Sequence, residues 1–338
     1  MKRKGLLLFP ALFAMSLSAC ATNVHHEISE YIAKELEYTS NYRILQLTDV
    51  HLGDKDNLDT HFKFMDLTID EANPNMIIVT GDLFTFASKT TAKEFFKYLD
   101  GKGVPWTVTY GNHDEQCYFS VDWLTSLLNN YGSNCIYKDI QDDDIQGNAN
   151  FAINLKKGGE LFEQLIIMDS NRYDFKTMYY DYFKDNQIQW YKDMVAYAKG
   201  LPGGANAKSL MFYHIPLPEI NDAYDKAMAG EDGASKVAYK VNGVDTYGEK
   251  GEDPCCPDHN SGFFEVIDEL DYTTGMYFGH DHINNFIVNY KGVDFAYGVK
   301  ATDRVYYGEA MMGGRVITLH DDHTTTYEDY YHTYAEVK

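Results

Sequence analysis

The sequence is poor in basic residues and contains no cluster of them. Its 338 residues include 29 Lys and Arg against 51 Asp and Glu, which gives a formal net charge of −22. An acidic surface repels a phosphate backbone, and the chain lacks the positive patch of nucleic-acid-binding proteins. We therefore expect no nucleic-acid partner. The hydrophobic fraction of 44% is ordinary for a globular protein with a buried core.

Long hydrophobic runs are missing beyond the N-terminus, which argues against an integral membrane protein because a spanning helix needs about 18 or more apolar residues. The N-terminus has basic residues, then an apolar run from Leu6 to Leu17 and small residues before Cys20. This layout predicts a signal peptide over residues 1–19. Residues 17–20 resemble the lipobox of bacterial lipoproteins, which implies a lipidated Cys20 that anchors the protein to a membrane outside the cytoplasm, in the periplasm or at the cell surface. An ordinary signal peptide with an incidental cysteine is the alternative.

Cysteine is also scarce, with four residues besides Cys20. In an oxidising compartment, Cys117 and Cys135 are candidates for a disulfide because they share one loop-rich region. The adjacent Cys255 and Cys256 could pair elsewhere, form a strained bridge with each other, or stay free. A structural zinc site is disfavoured, since no Cys-x-x-Cys spacing is repeated.

Residues 20–40 are charged and lack a core-like pattern, which predicts a lipidated tether with at most a short helix over residues 32–36. Residues 41–338 then form a single domain. Within it, residues 217–261 are polar, rich in Gly, Asp and Lys, and show little periodicity. Long irregular stretches are usually functional or disordered, and we expect this insertion to form a flap beside the site.

From residue 42 onward, short apolar runs alternate with helical stretches, and each of six runs ends in polar residues. The runs cover residues 44–47, 76–79, 106–108, 165–168, 210–213 and 276–278, and helices are predicted at 58–72, 91–99, 121–129 and 186–199. Residues 286–289, 295–297, 315–319 and 324–327 are typical of antiparallel strands. The pattern predicts a layered α/β/α sandwich with a mixed sheet and a site at the carboxyl ends of the strands.

The polar residues after these runs form an ordered set of possible metal ligands. The set consists of Asp49-x-His51, Gly81-Asp82, Gly111-Asn112-His113-Asp114, His214 and Gly279-His280-x-His282. Each piece alone occurs by chance in many chains, but the combination matches what two-metal hydrolysis needs: a bridging carboxylate, several imidazoles and an additional oxygen ligand. Because residues i and i+2 of an extended strand face the same side, we expect Asp49 and His51 to share one pocket, with Val50 behind them. His280 and His282 should do the same, with Asp281 turned away as a possible partner of the ligands.

This ordered set resembles that of the calcineurin-like metallophosphoesterases, a family that includes purple acid phosphatases and bacterial phosphodiesterases. The resemblance covers residues 43–299 and implies a four-layer α/β/β/α sandwich with mixed sheets. The implied ligands are Asp49, His51 and His282 for one ion and Asn112, His214 and His280 for the other, with Asp82 bridging both. His113 would contact the phosphate and help to protonate the leaving oxygen, and a metal-bound hydroxide would be the nucleophile.

The segments around His214 and His280 most resemble a branch related to purple acid phosphatases, but one position departs from it. Purple enzymes have a metal-binding tyrosine three residues after the bridging aspartate, where this chain has Thr85. We therefore expect a pair of Mn, Zn or Fe(II) ions and no purple colour. Calcineurin-type enzymes have an aspartate there that orients the catalytic histidine, so Asp114 or another group would have to orient His113.

These residues predict a two-metal hydrolase of a small phosphorylated substrate, either a phosphatase or a phosphodiesterase. Two residues are weaker candidates for substrate binding: Asp114, and Arg172, which otherwise lies on the surface. A second hypothesis is a surface binding lipoprotein built on a retired phosphoesterase scaffold, although such a protein usually loses a ligand. A third is a metal-dependent hydrolase of another bond, against which the Asn112-His113 pair argues.

Overall fold

The structure is a computed structural model that describes residues 26–140, 142, 144–174 and 176–337. The predicted signal peptide, the lipidation site Cys20 and the first residues of the predicted tether lie outside the described residues. Within the described part, no helix is both long enough and apolar enough to cross a bilayer.

The described chain forms seventeen strands, six α-helices and three short 3-10 helices. The strands are β1 (Ile32–Glu37), β2 (Tyr42–Leu47), β3 (Met76–Thr80), β4 (Trp106–Thr109), β5 (Phe151–Lys157), β6 (Glu160–Ile167), β7 (Tyr173–Asp174), β8 (Tyr179–Tyr180), β9 (Lys208–Phe212), β10 (Ala234–Lys236), β11 (Tyr239–Val241), β12 (Val244–Thr246), β13 (Thr273–Phe278), β14 (Ile287–Tyr290), β15 (Val293–Tyr297), β16 (Gly313–Leu319) and β17 (Thr325–Tyr331). The α-helices are α1 (Leu58–Ala72), α2 (Lys89–Asp100), α3 (Val121–Leu128), α4 (Asp185–Lys199), α5 (Glu219–Ala229) and α6 (Phe263–Leu270). The 3-10 helices cover Ile28–Tyr31, Asp114–Gln116 and Tyr334–Val337.

Helix α1 shows how local sequence sets the helix boundaries. Its first turn is capped by the Asn57 side chain, which accepts a hydrogen bond from the backbone N–H of Thr60. Phe64, Met65 and other apolar residues at helical spacing are buried. The helix ends at Asn73, which adopts a left-handed conformation with φ 39° immediately before a proline. These signals are all local, and the predicted limits of this helix are confirmed.

The strands form two large mixed sheets and one small hairpin. The eight-stranded sheet has the order β1-β5-β6-β9-β13-β15-β14-β10, and the seven-stranded sheet has the order β12-β11-β17-β16-β2-β3-β4. Strands β7 and β8 pair only with each other. In the eight-stranded sheet, β6, β9, β13 and β15 run parallel, as do β2, β3 and β4 in the other sheet.

Alternation along the strands of the eight-stranded sheet explains why two sheets pack together. Ile153 and Leu155 face a core shared with the seven-stranded sheet and α1–α3. Ala152 and Ile166 face the opposite core, which α4–α6 cover. The four-layer α/β/β/α arrangement implied by the family resemblance is thus confirmed. The α/β/α sandwich with one mixed sheet is wrong, because apolar runs alone do not tell which strands share a sheet.

The predicted tether is wrong where the structure describes it. At most a short helix was predicted here, over residues 32–36. Residues 32–37 instead form β1, which pairs in parallel with β5 at the edge of the eight-stranded sheet. The neighbouring Tyr31 and Tyr38 are buried. The folded domain therefore begins before residue 41.

The polar insertion at residues 217–261 is also more regular than predicted. It contains α5 and the short strands β10, β11 and β12, which extend both large sheets. Each of these strands has three residues, too few for a readable period. Its last part does lie beside the site, since Glu252 Oε1 accepts a hydrogen bond from the backbone N–H of Ile283, the residue after His282.

Candidate metal centre

The predicted ligands lie where parallel strands of both sheets end. Asp49, Asp82 and Asn112 follow β2, β3 and β4 of the seven-stranded sheet, while His214 and His280 follow β9 and β13 of the other. The two sheets pack face to face, so these loops meet at one shared edge. The structure brings all seven predicted metal ligands together there, and each is buried.

Asp49 and His51 share one ligand group as predicted, whereas His280 and His282 belong to different groups. The extended backbone on which this prediction was based is wrong, because several ligands have a positive φ. Asp49 and His51 have φ values of 52° and 51°, and Asp82 and His280 have 49° and 80°. Non-glycine residues rarely adopt this conformation, and such strain concentrates at functional sites. It is held by tertiary hydrogen bonds, among them His51 N–H to Asp82 O at 2.9 Å.

A glycine next to a ligand allows the two sheets to approach closely. A β-carbon on Gly279 would lie 1.9 Å from Thr48 Oγ1 and 2.6 Å from Asp49 Oδ2. With glycine there, the backbone N–H of His280 donates to Asp49 Oδ2 at 3.0 Å. The packing of one ligand-bearing loop against another therefore requires glycine at position 279, directly before His280.

Four of the ligands form one group of metal-ligating atoms, namely Asp49, His51, Asp82 and His282. His51 Nε2 lies 3.8 Å from Asp49 Oδ1 and 3.6 Å from Asp82 Oδ2. His282 Nε2 lies 3.3 Å from Asp49 Oδ1. Separations of this size fit atoms that surround one ion without bonding to each other.

Asp82 also belongs to a second group, together with His214 and His280. His214 Nε2 lies 3.3 Å from Asp82 Oδ2. Asn112 donates from Nδ2 to the Tyr173 hydroxyl at 3.2 Å, which leaves its Oδ1 as the free ligand atom. Since Asp82 is common to both groups, the chain has a dinuclear metal-binding cluster with this carboxylate between the two positions.

The hydrogen bonds of the imidazoles test whether the cluster fits metal ions. His214 Nδ1 donates to Thr80 O and His282 Nδ1 donates to Tyr306 O, each at 2.8 Å. A carbonyl only accepts, so Nδ1 of each ring carries a proton and Nε2 is the atom that would bind a metal ion, which in His214 would replace the proton on Nε2. His51 Nε2 faces His282 Nε2 at 3.0 Å, an arrangement that a cation between the rings would stabilise.

The buried polar atoms of the cluster that lack a hydrogen-bond partner also indicate a metal site. Such atoms at the cluster are Asp82 Oδ2, Asn112 Oδ1, His214 Nε2 and His280 Nε2. Leaving a buried polar atom unpaired costs about 1–3 kcal/mol, and here every one is a potential ligand atom. The donor set of carboxylate, amide oxygen and imidazole therefore fits two divalent ions.

The electrostatics of the cluster also favour a positive charge at its centre. Burial would raise the pKa of Asp82, but the nearby His214 charge holds that pKa well below its usual range. Burial lowers the pKa of His280 to about 3, and burial with the charge of Lys300 lowers that of His51, so both rings are neutral. Burial opposes protonation of His214 too, yet Asp82 raises its pKa to about 10. Without a metal ion, a proton on His214 supplies the positive charge, and a bound ion would take its place.

His113 lies beside the cluster but outside both ligand groups. Its backbone N–H donates to Asp82 Oδ1 at 2.8 Å, and its ring lies edge-on to His51 at 5.0 Å between centroids. Its Nδ1 bonds to Gln116 Oε1 at 2.9 Å. The ring is half-buried. Gln116, which carries no signal in the sequence, therefore orients His113.

Asp114, the predicted partner of His113 and a weak candidate for substrate binding, serves neither role. It is completely buried, and its oxygens accept hydrogen bonds from the backbone N–H groups of Phe84 and Gly111. Burial, followed by the charge of Asp82, raises its pKa to about 8. Asp114 ties the loop after β3 to the loop after β4.

Arg172, the other candidate for substrate binding, makes its polar contacts with neighbouring side chains of the protein. Its guanidinium makes ion pairs with Glu115 at 2.6 Å and Asp169 at 3.4 Å and bonds to Asn148 Oδ1 at 3.1 Å. Its side chain is 15% exposed, so it is not an ordinary surface arginine. These contacts indicate that Arg172 holds Glu115 in position.

Two further residues support the predicted ligands. Thr85 Oγ1 bonds to His51 Nδ1 at 2.8 Å and so orients a ligand. Lys300 is buried and donates to the backbone oxygen of Asp49 at 2.8 Å, and burial lowers its pKa to about 8. The spacing from Asp82 marked the position of Thr85 in the sequence, but only the fold reveals its bond to His51 and the contact of Lys300 with Asp49.

Asp281 lies between two predicted ligands and, as expected, is not in either ligand group. It accepts hydrogen bonds from the Tyr297 hydroxyl at 2.6 Å and from the Cys255 backbone. It thereby attaches the end of the insertion to the loop after β13. Cys255, like the other described cysteines, is a free thiol, so the candidate bridge between Cys117 and Cys135 is not formed.

Comparisons with known proteins place the chain in a family and support its fold. The family described as calcineurin-like phosphoesterase matches residues 42–298. The chain is 23% identical over 351 residues to "Probable inactive purple acid phosphatase 14" of Arabidopsis thaliana, covering 92% of this chain and 82% of that protein. It is 25% identical over 288 residues to "Phosphatase DCR2" of Saccharomyces cerevisiae, covering 75% and 46%. A dimetal phosphatase structure from Danio rerio has a TM-score of 0.53 at 15% identity, covering 88% of this chain and 100% of that one.

Proposed function

Since the chain belongs to the calcineurin-like phosphoesterase family, we propose that it hydrolyses phosphoesters, as a phosphatase or phosphodiesterase, with two divalent metal ions. One observation carries the proposal. Asp82 is common to two groups of buried ligand atoms, and several of these atoms have no partner within the described protein. A site that only stabilised the fold would pair such atoms with each other.

In this proposal, Asp49, His51 and His282 would hold one ion and Asn112, His214 and His280 the other, and Asp82 would contribute to both sites. When bound, the two ions neutralise the phosphoryl oxygens and make an attacking water more acidic. Thr85 supplies no phenolate, which favours Mn, Zn or Fe(II) over a ferric ion.

The protein's own contribution centres on His113. Gln116 holds its Nδ1, so Nε2 is directed to a phosphoryl oxygen or to the leaving oxygen, to which the protonated ring delivers a proton. The backbone N–H of His113 meanwhile fixes one oxygen of Asp82 and leaves the other for the ions. His113 thus contacts the bridging carboxylate through its backbone and the substrate through its ring.

The proposal is tested with p-nitrophenyl phosphate and bis-p-nitrophenyl phosphate on protein loaded with Mn, Zn or Fe(II). We expect Asp82→Asn to lose both bound metal and turnover, because the bridge is gone. His113→Ala should keep its metal and lose on the order of 10²–10⁴-fold in kcat, the usual contribution of a general acid. Metal content is measured by mass spectrometry, and the ratio between the substrates indicates monoesterase or diesterase preference.

Matched controls are available on the surface of the protein. Asp271→Asn and His320→Ala change the same residue types where the side chains are not at the cluster, and both variants should behave as wild type. Wild type that binds two ions per chain yet hydrolyses neither substrate would contradict the proposal.

That outcome would favour the second hypothesis, a binding protein on a retired phosphoesterase scaffold. The word "inactive" in the name of the Arabidopsis thaliana relative is the observation in its favour, and it concerns that protein. Against it, this chain keeps the seven predicted ligands and His113.

We further propose that the protein acts outside the cytoplasm, anchored through a lipid on Cys20. The support is the order of basic, apolar and small residues before Cys20 in the sequence. Labelled palmitate should be incorporated into the full chain and not into the Cys20→Ala variant, which should leave the membrane fraction. A label that persists in the variant would contradict lipidation at Cys20.

A further inference from the structure

A cavity of about 340 Å³ adjoins the metal centre on the side of His113. Its lining residues are Asn112, Glu115, Gln116, Tyr173 and Met178. Two of these, Asn112 and Gln116, are respectively a predicted ligand and the partner of His113. A group in this cavity would therefore lie next to the phosphoryl group, on the side of the histidine that protonates the leaving oxygen.

The outer wall of the cavity is the hairpin β7–β8. Tyr173 stacks on Tyr180 at 5.0 Å between ring centroids, and Tyr180 packs edge-on against His280 at 4.5 Å. The hydroxyl of Tyr173 accepts from Asn112. Both strands of the hairpin are thus attached to predicted metal ligands, which holds the wall at a set distance from the centre.

The described part of the hairpin exposes two large apolar side chains, one just before β8 and one within it. Met178 is 75% exposed and Tyr179 is 58% exposed. Met178 also has a φ of 62°, a conformation that costs energy for this residue and is common at ligand clamps. Exposed apolar groups at the mouth of a site indicate contact with an apolar part of a ligand.

The charge in the cavity is balanced. Among the described residues that line the cavity, Glu115 is the only carboxylate, and it is paired with Arg172 at 2.6 Å. The cavity therefore does not select a charged group. The aromatic ring of Tyr173 and the polarisable thioether of Met178 instead suit a flat π-system.

We propose that this cavity binds a planar aromatic ring on the alcohol side of the phosphoester, between Tyr173 and Met178. The inference rests on the proposed function and specifies its substrate class. The ring could be a nucleobase or a simple aryl group, since both present the same flat face.

Two pairs of substrates with primary-alcohol leaving groups test it. Adenosine 5′-monophosphate and ribose 5-phosphate differ in the nucleobase, while 2-phenylethyl phosphate and octyl phosphate have equal carbon numbers but differ in planarity. Stacking of a base contributes about 1–3 kcal/mol, so we expect the aromatic member of a pair to be favoured roughly 5–150-fold in kcat/KM. Preference within the first pair identifies a nucleobase, and preference within the second pair alone identifies another aryl group.

Met178→Ala should lower this preference several-fold, because it removes one face of the cavity. Met228→Ala is the matched control, since Met228 is an exposed methionine on α5. It should leave the preference as in wild type. Equal kcat/KM within both pairs, or a preference for the octyl ester, would overturn the inference while leaving the hydrolase proposal intact.

Binding of the bare leaving group separates this inference from the proposed function. Calorimetric titration should detect adenosine or 2-phenylethanol binding more tightly than ribose or octanol, even in a protein without turnover. If no ester is hydrolysed but this selectivity is found, the proposed function fails and the cavity assignment stands. If the selectivity is absent as well, both fail.

Discussion

Gly111 leaves no space for a side chain beside the bridging carboxylate. A β-carbon there would lie 2.2 Å from Asp82 Oδ1 and 2.4 Å from the Asp82 backbone nitrogen. We expect Gly111→Ala to displace Asp82 and to abolish metal binding, besides destabilising the fold by about 1–3 kcal/mol. Metal content and the thermal midpoint are the measurements.

The control for this substitution is Gly200→Ala. A β-carbon at Gly200 would come no closer than 3.3 Å to a neighbouring atom, and the residue has a right-handed helical conformation. This variant should retain full metal content. If Gly111→Ala also retained it, the close approach of the two loops would not matter for the centre.

Thr85 acts on a single ligand through one hydrogen bond. Without its hydroxyl, His51 Nδ1 loses its partner and the ring loses its fixed orientation. Loss of such supporting contacts typically lowers metal affinity about 10–100-fold, and we expect this from Thr85→Val in a competitive metal titration. Thr326→Val is the matched control, because Thr326 forms the same kind of bond with His320 at the surface. Unchanged affinity in Thr85→Val would contradict the assigned role.

Strand β1 contributes to the stability of the fold, although its sequence resembles that of a tether. It covers the edge of the eight-stranded sheet by pairing with β5, and Tyr31 and Tyr38 on either side of it are buried. A chain that begins at residue 39 should be less stable by roughly 3–6 kcal/mol, since each buried aromatic contributes about 1.5–3 kcal/mol.

Urea unfolding measures this loss, with a chain that begins at residue 26 as the control. The shorter chain should also aggregate more readily, because β5 becomes an exposed edge. Equal stability of the two chains would restore the tether as the correct description of these residues.

At the scale of the whole molecule, Glu163 and His323 join the two sheets. Glu163 belongs to β6 of one sheet, and His323 lies in the turn between β16 and β17 of the other, 2.7 Å from its carboxylate. Burial raises the pKa of Glu163 from 4.5 to about 7, although the hydrogen bond from His323 opposes the shift. The folded protein therefore binds this proton more tightly than the unfolded chain.

This raised pKa predicts a specific pH dependence. The stability due to the proton is fully present below about pH 4.5 and is lost as the pH rises to about 7. We expect Glu163→Gln, which cannot ionise, to lack this decline, so that its stability relative to wild type grows with pH by on the order of 3 kcal/mol at most. Denaturant unfolding at pH 5 and pH 8 measures it. Glu160→Gln, an exposed position on the same strand, should change with pH as wild type does, and parallel curves for Glu163→Gln would contradict the prediction.

The sequence by itself determined the chemistry of the centre and the local elements. Which residues could bind metals is a property of side-chain type, and Asp82, His214 and His280 were recognisable because each follows an apolar run. The limits of α1 were predictable because its cap, its apolar spacing and its end at Asn73 involve neighbours along the chain.

Only the tertiary structure decided how distant segments pair. The edge position of β1, the division into two sheets, and the choice of Gln116 instead of Asp114 as the partner of His113 depend on contacts outside the local pattern. The positive φ values of Asp49 and His51 have the same origin, since bonds from a neighbouring loop hold them. Periodicity reports which face of a segment is buried, whereas the partner that buries it is selected by the packing of the whole chain.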